Sequence, residues 1–212
     1  SGQAPQAAVP ATYAMEDFAT VRKFDAHVHA NTHDRALVEQ AAADNFAVLS
    51  INVDYPAFPP VPEQHAVALD LAGAAGDRFH WAATFTMAGY GSPEWAPRVE
   101  GELEAAVAEG ARAVKLWKNI GMVERDPAGN LVSIDDPGLA PVAGAIARLG
   151  VPLIAHQGEP HNCWLPLEEM TTDNDREYFS NHPEYHMYLQ PARPGDQALT
   201  AARDGSSAGN HG

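Results

Sequence analysis

The feature that most constrains this chain is a fivefold alternation between short apolar runs and stretches with helical spacing. Residues 21–28, 46–53, 79–86, 111–117 and 151–155 are nearly continuous apolar runs of strand length. Between them, apolar residues recur three and four apart. Leu37, Val38, Ala41 and Ala42 share one face of a predicted helix that Asp34 caps and that ends near Asn45. Pro62 suits the first turn of a second helix, with Val67 and Leu71 four apart. Val99, Leu103, Ala106 and Val107 stripe a third, closed by Gly110. Asp136 and Pro137 open a fourth, lined by Leu139, Val142, Ala143, Ile146 and Leu149 and ended by Gly150. Strands alternating with helices predict parallel βα units, and apolar runs without strict alternation predict strands covered on both faces. Such units form an open doubly wound sheet or a closed barrel. No glycine-rich phosphate loop follows the first run, which counts against a dinucleotide-binding fold.

Composition sets the function classes. Hydrophobic residues make up 45% of 212, enough for a sizeable core. A net charge of −15 repels phosphate backbones and anionic lipid, so nucleic acid and membrane surfaces are poor partners. No apolar run reaches the length of a membrane span. The single cysteine, Cys163, allows no intrachain disulfide and leaves the compartment, cytoplasmic or exported, open.

The polar residues gather where strands should end: His27 and His29, Asp54, Thr86, Lys115 and Lys118, His156 and Glu159. In F-D-A-H-V-H-A, residues 24–30, the period of two puts Asp25, His27 and His29 on one side of a strand. Two imidazoles so placed can hold one divalent ion. His156, at the end of the fifth run, offers a third nitrogen. Glu159, three residues on, reads as a partner of that histidine, a proton carrier or a solvated loop carboxylate. Lys115 falls inside the fourth run and Lys118 at its end, three apart and so on opposite sides of an ideal strand. A lysine inside an apolar strand is costly unless paired or altered. Lys115 therefore reads as a binder of an anionic substrate or of a neighbouring carboxylate, with a metal-bridging carbamate as the alternative.

Taken together, H-x-H after the first strand, K-L-W-K-N-I-G-M and H-Q-G-E-P resemble the amidohydrolase superfamily, specifically its amidohydrolase-related (type 2) family. The resemblance runs from about residue 22 to 194 and includes N-C-W-L-P-L-E-E-M and E-Y-F-S-N-H-P-E-Y-H-M-Y. It implies a distorted TIM-type (β/α) barrel that holds one or two divalent ions, zinc first, with manganese or iron as alternatives. His27 and His29 match its first-strand pair, His156 its fifth-strand ligand, and Lys115 the fourth-strand position of the carbamylated lysine in some members. The implied activity is metal-dependent hydrolysis of a small, anionic substrate, with Glu159 and Lys118 in catalysis and Lys115, Lys118 and Trp164 in substrate binding. Metal-dependent decarboxylases and lyases belong to the same family and form the alternative, beside an inactive fragment.

The family's further histidine after strand six and aspartate after strand eight have no counterpart here. The expectation is a flexible tail over 1–20, then a barrel truncated after about five strands over 21–203. An insertion at about 160–194, before a short helix at 196–203, roofs the strand ends, and a disordered tail covers 204–212. Unpaired strand edges would favour a homo-oligomer.

Overall fold

The computed structural model describes residues 12–156 and 158–190. The predicted helix at 196–203, the tail at 204–212 and most of the N-terminal tail lie outside them. Five strands form one sheet: β1 (Lys23–Val28), β2 (Phe46–Ile51), β3 (Phe79–Ala83), β4 (Ala113–Leu116) and β5 (Leu153–Ala155). Four helices alternate with them: α1 (Ala36–Ala43), α2 (Val61–Ala75), α3 (Trp95–Ala108) and α4 (Ala140–Leu149). All neighbouring strands are parallel and their order is β1-β2-β3-β4-β5. A doubly wound sheet reverses direction at a switch point. Here the order advances steadily, so right-handed crossovers put the four helices on one face and the sheet curls into a half-barrel.

The helical stripes read from the sequence pack in part: Val38 and Ala41 of α1 are buried, whereas Leu37, Ala42 and Ala143 face solvent. Val67 and Leu71 of α2, Val99 and Leu103 of α3, and Val142 and Ile146 of α4 are buried against Val48, Trp81 and Val114 of the strands. Gly150 ends α4 with a left-handed backbone, φ 69°, which a side chain would strain. Asp136 caps the 3-10 turn Pro137–Leu139 that leads into α4, accepting from the Gly138 amide at 2.8 Å. Tyr90 donates its hydroxyl to the same carboxylate at 2.6 Å, and a Cβ on Gly138 would collide with that hydroxyl.

β2, β3 and β4 stop short of the ends of their apolar runs, where the chain passes over the rim, while β1 and β5 begin two residues later than theirs. Val53, Phe85 and Trp117 remain buried beyond the last paired residues. Gln64 of α2, fully buried, fastens the rim after β2: its amide bonds the Val53 N–H at 3.0 Å and donates to the Val53 and Pro59 carbonyls at 2.8 and 2.6 Å. Ahead of β1, the stretch expected to be a flexible tail contains a 3-10 turn, Met15–Asp17, and Phe18 packs edge-on to Phe46.

After β5 the chain forms short turns and one helix, α5 (Asp173–Asn181), around a second small core of Met122, Cys163, Met170, Phe179, Tyr185 and Met187. These turns and α5 fall within the stretch, about 160–194, for which an insertion is expected. Among the described residues no helix is long and apolar enough to cross a membrane.

Among the described residues β1 and β5 each have one strand neighbour, and large apolar side chains lie bare on both: Phe24 is 55% and Leu153 43% exposed. Edges of this kind template association. The purified chain should therefore self-associate in sedimentation velocity, and Phe24→Ser with Leu153→Ser should shift it toward monomer. A wild-type monomer with one sharp thermal transition would show that these edges are tolerated.

Candidate functional site

Because every strand runs the same way, the chain leaves β1, β4 and β5 at one rim, and there the predicted residues meet. His27, His29, Lys115, Lys118 and His156 line one open cavity of about 200 Å³, together with Val53, Tyr55, Phe58 and Trp117. Five of these nine lining residues are basic and none is acidic, in a protein whose net charge is −15. Two of them, Lys115 and Lys118, bring amines to the wall of the cavity.

The histidine pair is built differently from the ideal strand. Asp25 pairs with Val48 while Val28 pairs with Ser50, so β1 carries one extra residue, a bulge. The bulge breaks the alternation that would place Asp25 beside the histidines. Asp25 instead turns back to accept the His27 amide at 3.0 Å and does not line the cavity. His27 and His29 do, with rings 5.1 Å apart and nearly perpendicular. His29 Nδ1 lies 2.7 Å from the Ile51 carbonyl, which can only accept, so Nδ1 carries the proton and Nε2 keeps its lone pair. Desolvation, then the nearness of His29 and Lys115, lowers the His27 pKa; Asp25 opposes this and His156 adds to it.

Lys115 and Lys118 both reach the cavity, against the expectation of opposite sides, because β4 ends at Leu116 and the chain turns before Lys118. Lys115 is 5% exposed, and among the described residues no carboxylate pairs with its amine. Burial alone pulls its pKa down. Lys118 is held by tyrosines: its Nζ donates to the Tyr178 hydroxyl at 2.7 Å and lies 3.9 Å from the centre of the Tyr185 ring.

His156 continues the β4–β5 ladder through its amide, which donates to Leu116 O at 3.1 Å, and its Nε2 pairs with Glu159 Oε1. Glu159 therefore stands behind His156 as its partner and does not line the cavity. Trp164 does not line it either; its indole packs against the small core of the roof. The rim residues that strand-end reasoning missed are Val53, Tyr55, Phe58 and Trp117. A partial signal lay in the aromatic, proline-rich Y-P-A-F-P-P after the second run and in the tryptophan between the two lysines. Glu124, in the loop after β4, lies near Asp54; burial first and that charge second raise its pKa.

What fits a divalent ion here is the His27–His29 pair. A backbone carbonyl orients one of its rings, as metal-bound histidines usually require. His156 lines the same cavity. Among the described residues no three His, Cys, Asp or Glu side chains form a ready-made cage.

No family model matches the chain, and no curated protein does. Among solved structures, the enoyl reductase domain of MlnA from the macrolactin biosynthesis cluster of Bacillus amyloliquefaciens is similar at 11% identity and a TM-score of 0.32. The match covers 78% of this chain, which spans 38% of that one.

Lys115 gives a pH-dependent prediction. Its folded pKa lies below its unfolded value, so the charged form is disfavoured on folding and stability is lost as pH falls from about 10.5. Below its lowered folded pKa the penalty is complete, and there Lys115→Met should stabilise the chain by about 1–3 kcal/mol. In denaturant titrations the gap should narrow as pH rises toward 10.5; a variant less stable than wild type at pH 7 would show that the amine has a partner.

Proposed function

We propose that this chain forms part of a hydrolase of amidohydrolase type built on a TIM-type barrel, acting on a small, anionic substrate with a divalent ion. The observation that supports this most is the meeting of His27, His29 and His156 with the buried Lys115 at the C-terminal ends of β1, β5 and β4. Function at that end of parallel strands is the rule for barrels.

In this reading His27 and His29 hold the ion, through Nε2 in the case of His29, and His156 completes the protein's share. Zinc is the first choice, with manganese or iron as alternatives, because imidazole suits all three. A divalent ion supplies a nucleophilic water near neutral pH and polarises a carbonyl oxygen. Lys115 draws the substrate's anionic group into the cavity and, being poorly solvated, binds it more strongly than a surface lysine would. Glu159 fixes the His156 ring and is the nearest carboxylate able to pass a proton through it. The apolar walls given by Val53 and Phe58 exclude water around the reacting group.

Decarboxylation uses the same side chains. Product analysis on a panel of small carboxylic acids and their amides separates the two.

Elemental analysis tests the ion directly. The purified chain should retain zinc through gel filtration, and His27→Ala with His29→Ala should reduce it to background. Glu159→Gln should weaken metal affinity by about 10–100-fold, as loss of a histidine's orienting partner does. Equal metal in wild type and double variant would overturn the assignment.

A further inference from the structure

Lys118 sits where three separate stretches of chain meet. Its Nζ lies 3.9 Å from the ring centre of Tyr185, 5.3 Å from that of Tyr178 and 5.7 Å from that of Tyr55. Tyr55 belongs to the loop after β2, Tyr178 to α5 and Tyr185 to the 3-10 turn Pro183–Tyr185. The Tyr178 hydroxyl accepts from the ammonium at 2.7 Å. The Tyr185 hydroxyl donates to Asn119 Oδ1, one residue beyond the lysine, at 3.0 Å. Burial above all, with help from Tyr55 and Tyr178, pushes the Tyr185 pKa up to about 12, so the ring face stays neutral at any ordinary pH. Among the described residues no carboxylate pairs with Lys118.

An ammonium has three N–H donors. One is used by Tyr178, and a ring face attracts the charge without consuming a localised acceptor. Lys118 also lines the cavity. A free lysine must freeze a long, flexible stem to bind an anion; this stem is already frozen. Two of its three clamps, Tyr178 and Tyr185, come from the roof.

We propose that Tyr178 and Tyr185 are positioning residues that hold the Lys118 ammonium at the cavity wall as an anion receptor, so that a bound anion and the closed roof stabilise each other. This rests on the reading of the cavity as an anion site. The coupling is reciprocal by thermodynamic necessity: if closing the roof improves anion binding, the anion must resist opening of the roof.

Sulfate is the test ligand, since it stays dianionic and does not absorb; chloride holds ionic strength constant. Titration of the full chain is followed by tryptophan fluorescence, Trp117 lying in the cavity wall beside Lys118. Roof opening is followed by trypsin cleavage after Arg176 in α5. Wild type should bind sulfate, and sulfate should slow that cleavage. Tyr178→Phe should bind about 10-fold more weakly, the worth of one lost side-chain constraint, with metal content and melting temperature unchanged. Lys118→Met should lose both binding and protection, and Lys118→Arg should restore part of each, because a guanidinium also stacks on rings. Should Lys118→Met fail to fold, Tyr178→Phe decides alone. Sulfate binding by Tyr178→Phe equal to wild type would overturn the cage and leave the anion site standing. Wild-type binding without protection at Arg176 would overturn the coupling. No binding by wild type, with normal metal uptake, would overturn both the cage and the anion site and leave the metal reading untouched.

Discussion

Parallel pairing is the constraint on which everything else depends. A parallel strand cannot be reached by a tight turn, so each of the four returns carries a helix across one face of the sheet. The same rule delivers every strand end to one rim. Residues 27, 115 and 156 are far apart in sequence, yet they line one cavity because β1, β4 and β5 all point the same way. The helices complete the job from behind: Gln64 of α2 satisfies both backbone groups of Val53 and so fixes the rim on which Tyr55 and Phe58 stand.

The rim also concentrates the molecule's costs. Lys115 gives up solvation with no carboxylate paired to it among the described residues, and His27 is desolvated and pressed by two histidines and a lysine. Groups held this way are poised to gain from a ligand that supplies what the protein withholds, either negative charge or a metal that takes up lone pairs. Lys118 solves the same problem differently. Its Nζ faces aromatic rings, and in doing so it ties the helical roof to the end of β4. One cation is thus part of both the cavity wall and the attachment of the roof.

The strands and crossover helices were legible because each buries a repeating stripe, and burial leaves its period in the sequence. The place of the histidines was legible for the same reason, since they close the first apolar run. Their neighbourhood was not. The bulge in β1 is a matter of register against β2, which the sequence of β1 does not carry, and it removes Asp25 from the cavity. The two lysines share a wall because β4 ends at Leu116, one residue earlier than its apolar run. Trp164 looked like a cavity residue from its place in the insertion, but the roof has a core of its own and takes the indole into it. That core, built from Met122, Cys163, Met170 and Phe179, joins residues from two loops and one helix and has no period to read.

His27 and His29 are proposed to act together as ligands to one ion at the end of β1, and X-ray absorption on the zinc-loaded chain examines that directly. Two ligating imidazoles should give a first shell of nitrogen and oxygen at about 2.0–2.1 Å, with the outer-shell scattering of at least two imidazoles, lost when either histidine is replaced. A shell of oxygen alone, or one unchanged in His27→Ala, would contradict it.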